Sequence, residues 1–484
     1  MIDKEEIDRK SEELGVHVSN VQRDYVFGWL LAGLFQAGNP LQRFLILKGG
    51  NAFRKAYFEN ARFSNDLDFS TQMELDERLL RDAVKQACLF AKERSGVEFL
   101  ADDSRIGARN VAEEESKLYE ARVYFKSFYG EEDITLKVKL DVKEYDRIFL
   151  PVQTRKLIHA YSDHDQCQVE LRCLKLEELL ASKLKALLQR RHSPDLYDFV
   201  YSVFFQKVLD IHRREVITTF LKKTIYEPTP QIARSLLLEL PFQVLRGFWN
   251  EYLVCPKFSL VSFDDAEASF RSAIAELFAL LVPEPAPAGV LAGRGLSFYG
   301  TAYRDAIMEA GRLRQILRLV YDGVERFVEP YALAFKRRKD GIAREYFYAW
   351  DLSGGRSGQT GIKSFIADKV QAVQLTERTF EPRFPIELAK GGSYFGATSF
   401  PSGTRASSGL GGFVQPRSTR PRKTSSSPFG GSRKGAPASP FAIVYTVQCP
   451  YCGKRFKRNK LDTALNEHKD SYGNRCYGRV GSIV

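Results

Sequence analysis

The chain has 484 residues, 44% of them hydrophobic and 27% charged, with a formal net charge of +12. That length divides into roughly two to four domains, and the balance of apolar and charged residues is that of an ordinary globular chain, which excludes a wholly disordered polymer. No apolar run approaches the ~20 residues that a bilayer-spanning helix needs, and seven cysteines are too few for a disulfide framework. The opening residues, Met1-Ile2-Asp3-Lys4-Glu5-Glu6, are acidic and lack the apolar core of a signal peptide, so a cytoplasmic location with no membrane partner is expected.

Between Glu387 and Asp462 there is no acidic residue, whereas Lys and Arg occur thirteen times. The segment from Asp462 onward is balanced, so subtracting thirteen from +12 leaves −1 for residues 1–387. All the excess positive charge is therefore in the tail. A basic tail suits nucleic acid or another polyanion, and serves equally as a solubilising linker.

In chain order, residues 1–38 have helical periodicity: Leu14, Val18, Val21, Tyr25 and Trp29 recur at spacings of three or four, and Gly38-Asn39-Pro40 closes the segment. Phe44-Leu45-Ile46-Leu47 reads as a buried strand, Asn51 to Asn60 as a helix, and the residues around Leu67 and Phe69 as another short strand. Asp76 is placed to cap a helix from Glu77 to Arg94. Ile134, Leu136, Val138, Leu140 and Val142 alternate with Lys137, Lys139 and Asp141, the pattern of a half-buried strand. Leu176 to about Leu281 is mostly helical. Pro283 to Pro287 reads as a linker. Ile316 to Tyr321, Ile342 to Trp350 and Val370 to Leu375 are β-rich. From Lys390 to Pro440 the chain is rich in Ser, Gly, Pro and Arg and cannot bury enough surface to fold. No long internal repeat is present.

Leu47-Lys48-Gly49-Gly50-Asn51-Ala52-Phe53-Arg54 couples a strand, a diglycine and a helix start, whose free backbone N–H groups are suited to phosphates. Glycine lets a triphosphate approach the backbone closely. Ser64-Asn65-Asp66-Leu67-Asp68 follows. Asp66 and Asp68, two apart on a strand, point to one side, and hard oxygen ligands at that spacing suit Mg²⁺ or Mn²⁺. Asp141, on the polar face of its strand, is the candidate third carboxylate. An isolated diglycine is usually a turn and an isolated Asp-x-Asp usually a solvated edge; their order within a short stretch is the specific signal. On the helix that begins at Leu176, Lys183 and Arg190 share a face with Leu176, Leu180 and Leu187. Either they lie with their charges at the edge of an apolar stripe, or Lys183 reaches a nucleotide phosphate or orients the acceptor hydroxyl.

Together these blocks resemble the AbiEii family of nucleotidyltransferase toxins of type IV toxin–antitoxin and abortive-infection systems, over roughly residues 10–290. The resemblance implies an α/β (α+β) fold, a polymerase-beta-like nucleotidyltransferase head with a helical C-terminal part. It assigns Gly49 and Gly50 to the first motif, Ser64, Asp66 and Asp68 to the second, and Lys183, Arg190, Asp195 and Asp198 to the third. Catalysis would then rest on Asp66, Asp68, Asp141 and Lys183, and nucleotide binding on Gly49, Gly50, Ser64, Arg190, Asp195 and Asp198. Asn51 stands where a small hydroxyl residue is frequent, and Ser193-Pro194 stands where an Arg more often precedes Asp195. The family implies transfer of a nucleoside monophosphate from an NTP to RNA or protein, in a toxin or defence effector with a possible cognate antitoxin.

Residues 319–384, from Leu319 through Arg326 and Pro330 to Arg378, Pro382 and Phe384, are similar to a WYL-type domain, a small β-barrel, although the Trp-Tyr-Leu triplet is missing. The similarity implies sensing of a ligand or single-stranded nucleic acid, with Arg326, Lys336, Arg337 and Arg338 as candidates; a solvated basic hairpin is the competing reading. Near the C-terminus Cys449-Pro-Tyr-Cys452 begins a tight knuckle, His468 is expected on a helix from Leu461, and Cys476 follows. Three thiolates and an imidazole suit a closed tetrahedral Zn²⁺ site; the alternative, a redox dithiol, would not explain His468 and Cys476. A segment this short needs metal to fold, and Lys454, Arg455, Lys457, Arg458 and Lys460 suit phosphate contacts.

The expected organisation is a catalytic domain at 1–175, a helical domain at 176–290, a WYL-like β domain at 298–388, a disordered basic linker at 389–440 and a zinc finger at 441–484. The expected function is Mg²⁺-dependent nucleotidyl transfer; the alternatives are a non-catalytic nucleic-acid-binding regulator and a housekeeping RNA-modifying enzyme.

Overall fold

The structure is a computed structural model. It describes residues 2–109, 117–129, 135–206, 208–281, 296–337 and 343–389, and, in a separate compact unit, residues 445–449, 452, 454–458, 465, 468–469, 475–476 and 482–483. The expected linkers at Pro283–Pro287 and 389–440 fall outside the described residues, apart from residue 389, which closes a 3₁₀ turn.

The chain starts with α1 (Lys4–Leu14) and α2 (Val18–Phe35). Asp3 caps α1, accepting from the Glu6 N–H at 2.7 Å, and Gly15 ends it in the left-handed conformation, as a C-terminal glycine commonly does. Helix α2 is buried from Ser19 to Phe35, polar residues included. It lies against the central sheet and α4 (Glu77–Ser95), whose N-cap is Asp76 as the sequence predicts.

The central sheet has seven strands: β1 (Ile46–Lys48), β2 (Leu67–Ser70), β3 (Phe99–Arg109), β4 (Leu118–Lys126), β5 (Thr135–Lys143), β6 (Gln153–Lys156) and β7 (Glu170–Cys173), in the order β3-β4-β5-β2-β1-β7-β6. Strands β2 and β5 are parallel, as are β1 and β7; the other pairs are antiparallel. The alternation read between 134 and 142 is realised in β5, where Leu136, Val138, Leu140 and Val142 are buried. The strand expected from Phe44 begins at Ile46, and Phe44 is exposed. The helix expected over Asn51 to Asn60 is a short α-turn, α3 (Gly49–Ala52), running into a wider π-turn at Phe53–Tyr57. The widened turn coincides with the burial of two adjacent cations, Arg54 and Lys55, which both reach Asp24 of α2, at 2.7 and 3.0 Å. Burial works against the Asp24 charge, but Arg54 and Lys55 hold its carboxyl well below the usual carboxylate range.

Helices α5 (Leu176–Gln189), α6 (Ser193–Val200), α7 (Arg213–Lys223), α8 (Pro230–Leu238), α9 (Phe242–Gly247), α10 (Trp249–Tyr252) and α11 (Phe263–Ala279) follow the sheet. Pro194 falls in the first turn of α6, where a missing N–H leaves no helical bond unmade. The Ser193-Pro194 departure therefore starts the helix rather than distorting it.

Helix α12 (Thr301–Leu313) packs on a second sheet of β8 (Gln315–Tyr321), β9 (Val324–Arg337), β10 (Ala343–Asp351), β11 (Gly361–Ile366) and β12 (Val370–Thr379). Its order is β11-β10-β9-β8-β12 and every pairing is antiparallel. Among the described residues β11 and β12 do not pair, so the barrel-like expectation is corrected to an open sheet, with α12 covering one face. Arg304 of α12 ties this layer to the helical part. It donates to the Leu188 carbonyl at 2.6 Å and pairs with buried Glu345 at 2.6 Å. Gln189 donates to the Leu333 carbonyl at 2.8 Å. Among the described residues no helix is long and apolar enough to cross a membrane.

In the separate unit β13 (Tyr445–Gln448) pairs with β14 (Arg455–Arg458) and with β17 (Ser482–Ile483), and β15 (His468–Lys469) pairs with β16 (Arg475–Cys476). His468 was expected on a helix; it lies on a strand, directly opposite Cys476. The cross-strand pairing brings imidazole and thiol together, which a helical periodicity would not have done.

Candidate active site

The Asp66 and Asp68 side chains are carried into the site by a three-strand core. On β2, Asp68 faces Lys48 of β1 on one side and Asp141 of β5 on the other. One carboxylate oxygen from each of Asp66, Asp68 and Asp141 lies within 4.8 Å of the others. Asp141 is buried, whereas Asp66 and Asp68 are half-buried, so the cluster is reachable from one side. Three hard oxygen donors at this separation match what Mg²⁺ or Mn²⁺ takes from protein.

Gly49 is required here for two reasons. Its φ is +71°, and a Cβ on it would stand 2.2 Å from Asp68 Oδ2. A Cβ on Gly50 would stand 2.6 Å from Ser64 Oγ and 2.8 Å from Arg62 Nη2. The diglycine thus lets the β1–α3 turn lie directly against the acidic strand. Asn51, the departure from the commoner hydroxyl residue, donates from Nδ2 to the Asp66 carbonyl at 2.7 Å and so tethers that turn to the first carboxylate.

The third-motif residues form a buried ionic network beside the diglycine. Lys183 Nζ lies 2.8 Å from Asp195 Oδ1 and 2.7 Å from Asp198 Oδ2. Arg190 grips Asp195 with two nitrogens, at 2.8 and 3.1 Å. Arg62 grips Asp198 the same way, at 2.7 and 2.8 Å. Burial disfavours the Asp195 charge, but Arg190 and Lys183 hold its carboxyl well below the usual range. His192 is pushed down to about 4 by burial, against the pull of Asp195. Lys183 was expected at a phosphate or at the acceptor hydroxyl; in this structure its ammonium is held between two carboxylates and only 9% of its side chain is exposed.

Arg62 is a member that the sequence reading gave no role. Its position two residues before Ser64 carries no periodic signal; only its contact with Asp198, far along the chain, reveals it. Glu120 is another: it faces Asp141 across β4 and β5. Lys48, opposite Asp68, pairs with Asp146 at 2.6 Å, and Ser70 donates to the same carboxylate.

The sequence model of the family described as nucleotidyl transferase AbiEii toxin of type IV toxin–antitoxin systems matches residues 29–251. Residues 29–251 are thereby similar to the AbiEii family. That span takes in all three motifs and the whole acidic cluster. Solved structures similar to the chain include JHP933 from Helicobacter pylori (16% identity, 54% of this chain and 92% of that one, TM-score 0.35). Another is the nucleotidyltransferase toxin MenT4 of Mycobacterium tuberculosis H37Rv (18% identity, 57% and 90%, TM-score 0.35). A third is the proteasome accessory factor B/C of Arthrobacter aurescens (14% identity, 75% and 73%, TM-score 0.16). No curated protein matches the chain.

Outside the matched residues, Cys449, Cys452, His468 and Cys476 bring one ligand atom each within 4.8 Å of the others. Cys449 Sγ and Cys476 Sγ are 3.6 Å apart, and Cys452 Sγ is 3.2 Å from His468 Nε2. Tetrahedral Zn²⁺ with Zn–S bonds of ~2.3 Å would set its thiolates about 3.8 Å apart, so the cluster fits that ion. The Cys449 N–H donates to the Lys454 carbonyl at 2.9 Å. Lys454 and Arg455 are exposed beside it. In the second sheet, Arg326 donates to buried Asp351 at 2.6 Å, and Lys336 Nζ stands 4.9 Å from the centre of the Tyr348 ring. Arg326 is therefore engaged inside the sheet rather than presented as a free sensor. Arg338 lies outside the described residues, as does the Arg337 side chain.

Proposed function

We propose that the protein is a toxin or defence effector that transfers a nucleoside monophosphate from an NTP to an RNA or protein hydroxyl, and that Mg²⁺ or Mn²⁺ is its cofactor. The observation that carries this reading is the convergence of Asp66, Asp68 and Asp141 beside a diglycine turn whose backbone has no side chain to keep a triphosphate away. Asp66, Asp68 and Asp141 would hold the divalent ion, which supplies Lewis-acid polarisation of the α-phosphate and charge neutralisation on the leaving pyrophosphate. The Gly49 and Gly50 backbone, with the Ser64 hydroxyl, would cradle the phosphates. Asp141, the most buried of the three, is the group placed to accept the acceptor's proton. Lys183, Arg190, Asp195 and Asp198, with Arg62, would fix the floor of the nucleotide site, and the net positive charge of that network favours an anionic ligand above it.

Zn²⁺ in the Cys449, Cys452, His468, Cys476 cluster would be structural, since four protein ligands leave no open position. The basic residues around it favour contact with nucleic acid, the RNA acceptor included. An NTP-consuming reaction of this kind would take place in the cytoplasm, where a cognate antitoxin would restrain it.

The test is incubation of the purified full chain with α-labelled NTPs, total RNA and total protein. Label should move to one of the two pools and should stop moving in Asp68→Ala. Absence of transfer to any acceptor, together with tight nucleic-acid binding, would instead support a non-catalytic regulator. Growth arrest on expression, relieved by the same substitution, would separate a toxin from a housekeeping enzyme.

A further inference from the structure

Asp141 belongs to two groups at once. It is one of the three converging carboxylates, and it also takes a salt bridge from Lys139, two residues back on the same face of β5, at 2.6 Å from Nζ to Oδ2. The same ammonium is 3.4 Å from Glu120 Oε2. Glu120 lies opposite Asp141 in the register of β4 and β5, and Arg122 pairs with its other oxygen. Lys139 therefore stands between two carboxylates, one inside the metal cluster and one just outside it. Side-chain exposure is 5% for Asp141, 18% for Lys139 and 12% for Glu120, so little water screens any of the three.

We propose that Lys139 and Glu120 are positioning residues for the metal site: Lys139 occupies the charge of Asp141 when the ion is absent and swings to Glu120 when it binds. The inference rests on the reading of Asp66, Asp68 and Asp141 as a divalent-cation site. A divalent ion at Asp141 repels an ammonium already bonded to that carboxylate. Leaving that ammonium in place would oppose loading, and removing it to bulk water would cost its ion pairs with Asp141 and Glu120 in a half-buried position. Glu120 resolves the conflict, because a movement of about an ångström closes its 3.4 Å separation to a normal charge-assisted hydrogen bond. Without the ion, Lys139 keeps a buried carboxylate paired and in rotamer; with it, the same cation is parked one strand further from the metal.

The experiment is a double-mutant cycle on Mn²⁺ affinity, read on the full chain by the loss of the free-ion electron paramagnetic resonance signal. Glu120→Gln removes the parking position and should weaken Mn²⁺ binding roughly tenfold, whereas Lys139→Met should tighten it several-fold. In the Lys139→Met background, Glu120→Gln should change the affinity less than about twofold, because no ammonium remains to be parked. Additive effects of the two substitutions would mean that they act only as independent field charges, and would overturn the hand-off while leaving the metal site intact. If the wild-type chain gives no Mn²⁺ binding that Asp68→Asn abolishes, the metal reading itself falls, and the hand-off with it. Should Lys139→Met lower the yield of folded protein, Lys139→Gln provides the same cycle with a polar, uncharged side chain.

Discussion

Asp68 and Asp141 are direct neighbours across a parallel pair of strands, each the register partner of the other. Side chains directly opposite on one sheet face are about 5 Å apart at Cβ, and two like charges so placed repel unless a cation joins them. Asp68→Asn should therefore leave the protein folded, or slightly more stable without metal, whereas Asp141→Asn also removes the buried carboxylate that Lys139 bridges. Either should reduce nucleotidyl transfer by at least a hundredfold, on the order of what removing a key electrostatic group from an active site costs. Turnover and thermal melting measured on the same sample check both halves of the expectation.

Gly49 cannot carry a side chain without cost. Its positive φ strains any L-residue by about 1–3 kcal/mol, and the new Cβ would press on Asp68 Oδ2. Gly49→Ala should lower the melting temperature and also weaken Mn²⁺ binding, since Asp68 must turn away. A variant that melts lower but binds Mn²⁺ normally would show that the backbone adapts and the carboxylate does not.

Asp198 holds Arg62 and Lys183 together beneath the diglycine turn. Asp198→Asn leaves two buried cations short of a charged partner, a loss of about 3–5 kcal/mol. Denaturant titration should show that loss as a lower midpoint with an unchanged slope. Asp264→Asn serves as the control: its exposed carboxylate pairs with an exposed Arg246, a solvent-screened pair whose loss should leave the midpoint essentially unchanged.

His192 should make stability depend on pH. Its pKa is about 4 in the folded chain and 6.5 as a free side chain. The unfolded state binds the proton first as pH falls, so stability is at full strength above 6.5 and declines between 6.5 and 4. The loss is about 1–3 kcal/mol, and His159, also depressed by burial, adds to it in the same direction. His192→Gln should flatten this slope. An equally steep decline in the variant would assign the effect to other groups.

Removal of metal should affect the two compact units differently. Chelation of Zn²⁺, or Cys476→Ser, should unfold the unit built on residues 445–483 and expose it to protease. The melting of the larger unit, which contains residues 29–251, should be unchanged. Small metal-bound units draw their folding free energy from the ion, whereas the larger unit has its own buried core.

By itself the sequence determined the elements whose signal is local. The alternation in β5, the Asp76 cap of α4, the diglycine followed by Asp-x-Asp, and the cysteine pair spaced for a tight turn are all set by neighbours within a few residues. Periodicity and capping act over that range, so they are legible without a fold. Tertiary structure decided what depends on residues distant in the chain. It put Arg62 and Asp198 in one ion pair, enclosed Lys183 between Asp195 and Asp198, placed Glu120 across from Asp141, set His468 on a strand against Cys476, and left the second sheet open where a barrel was expected. Charge pairing and strand register are fixed by which elements pack together, and no spacing along the chain encodes that choice.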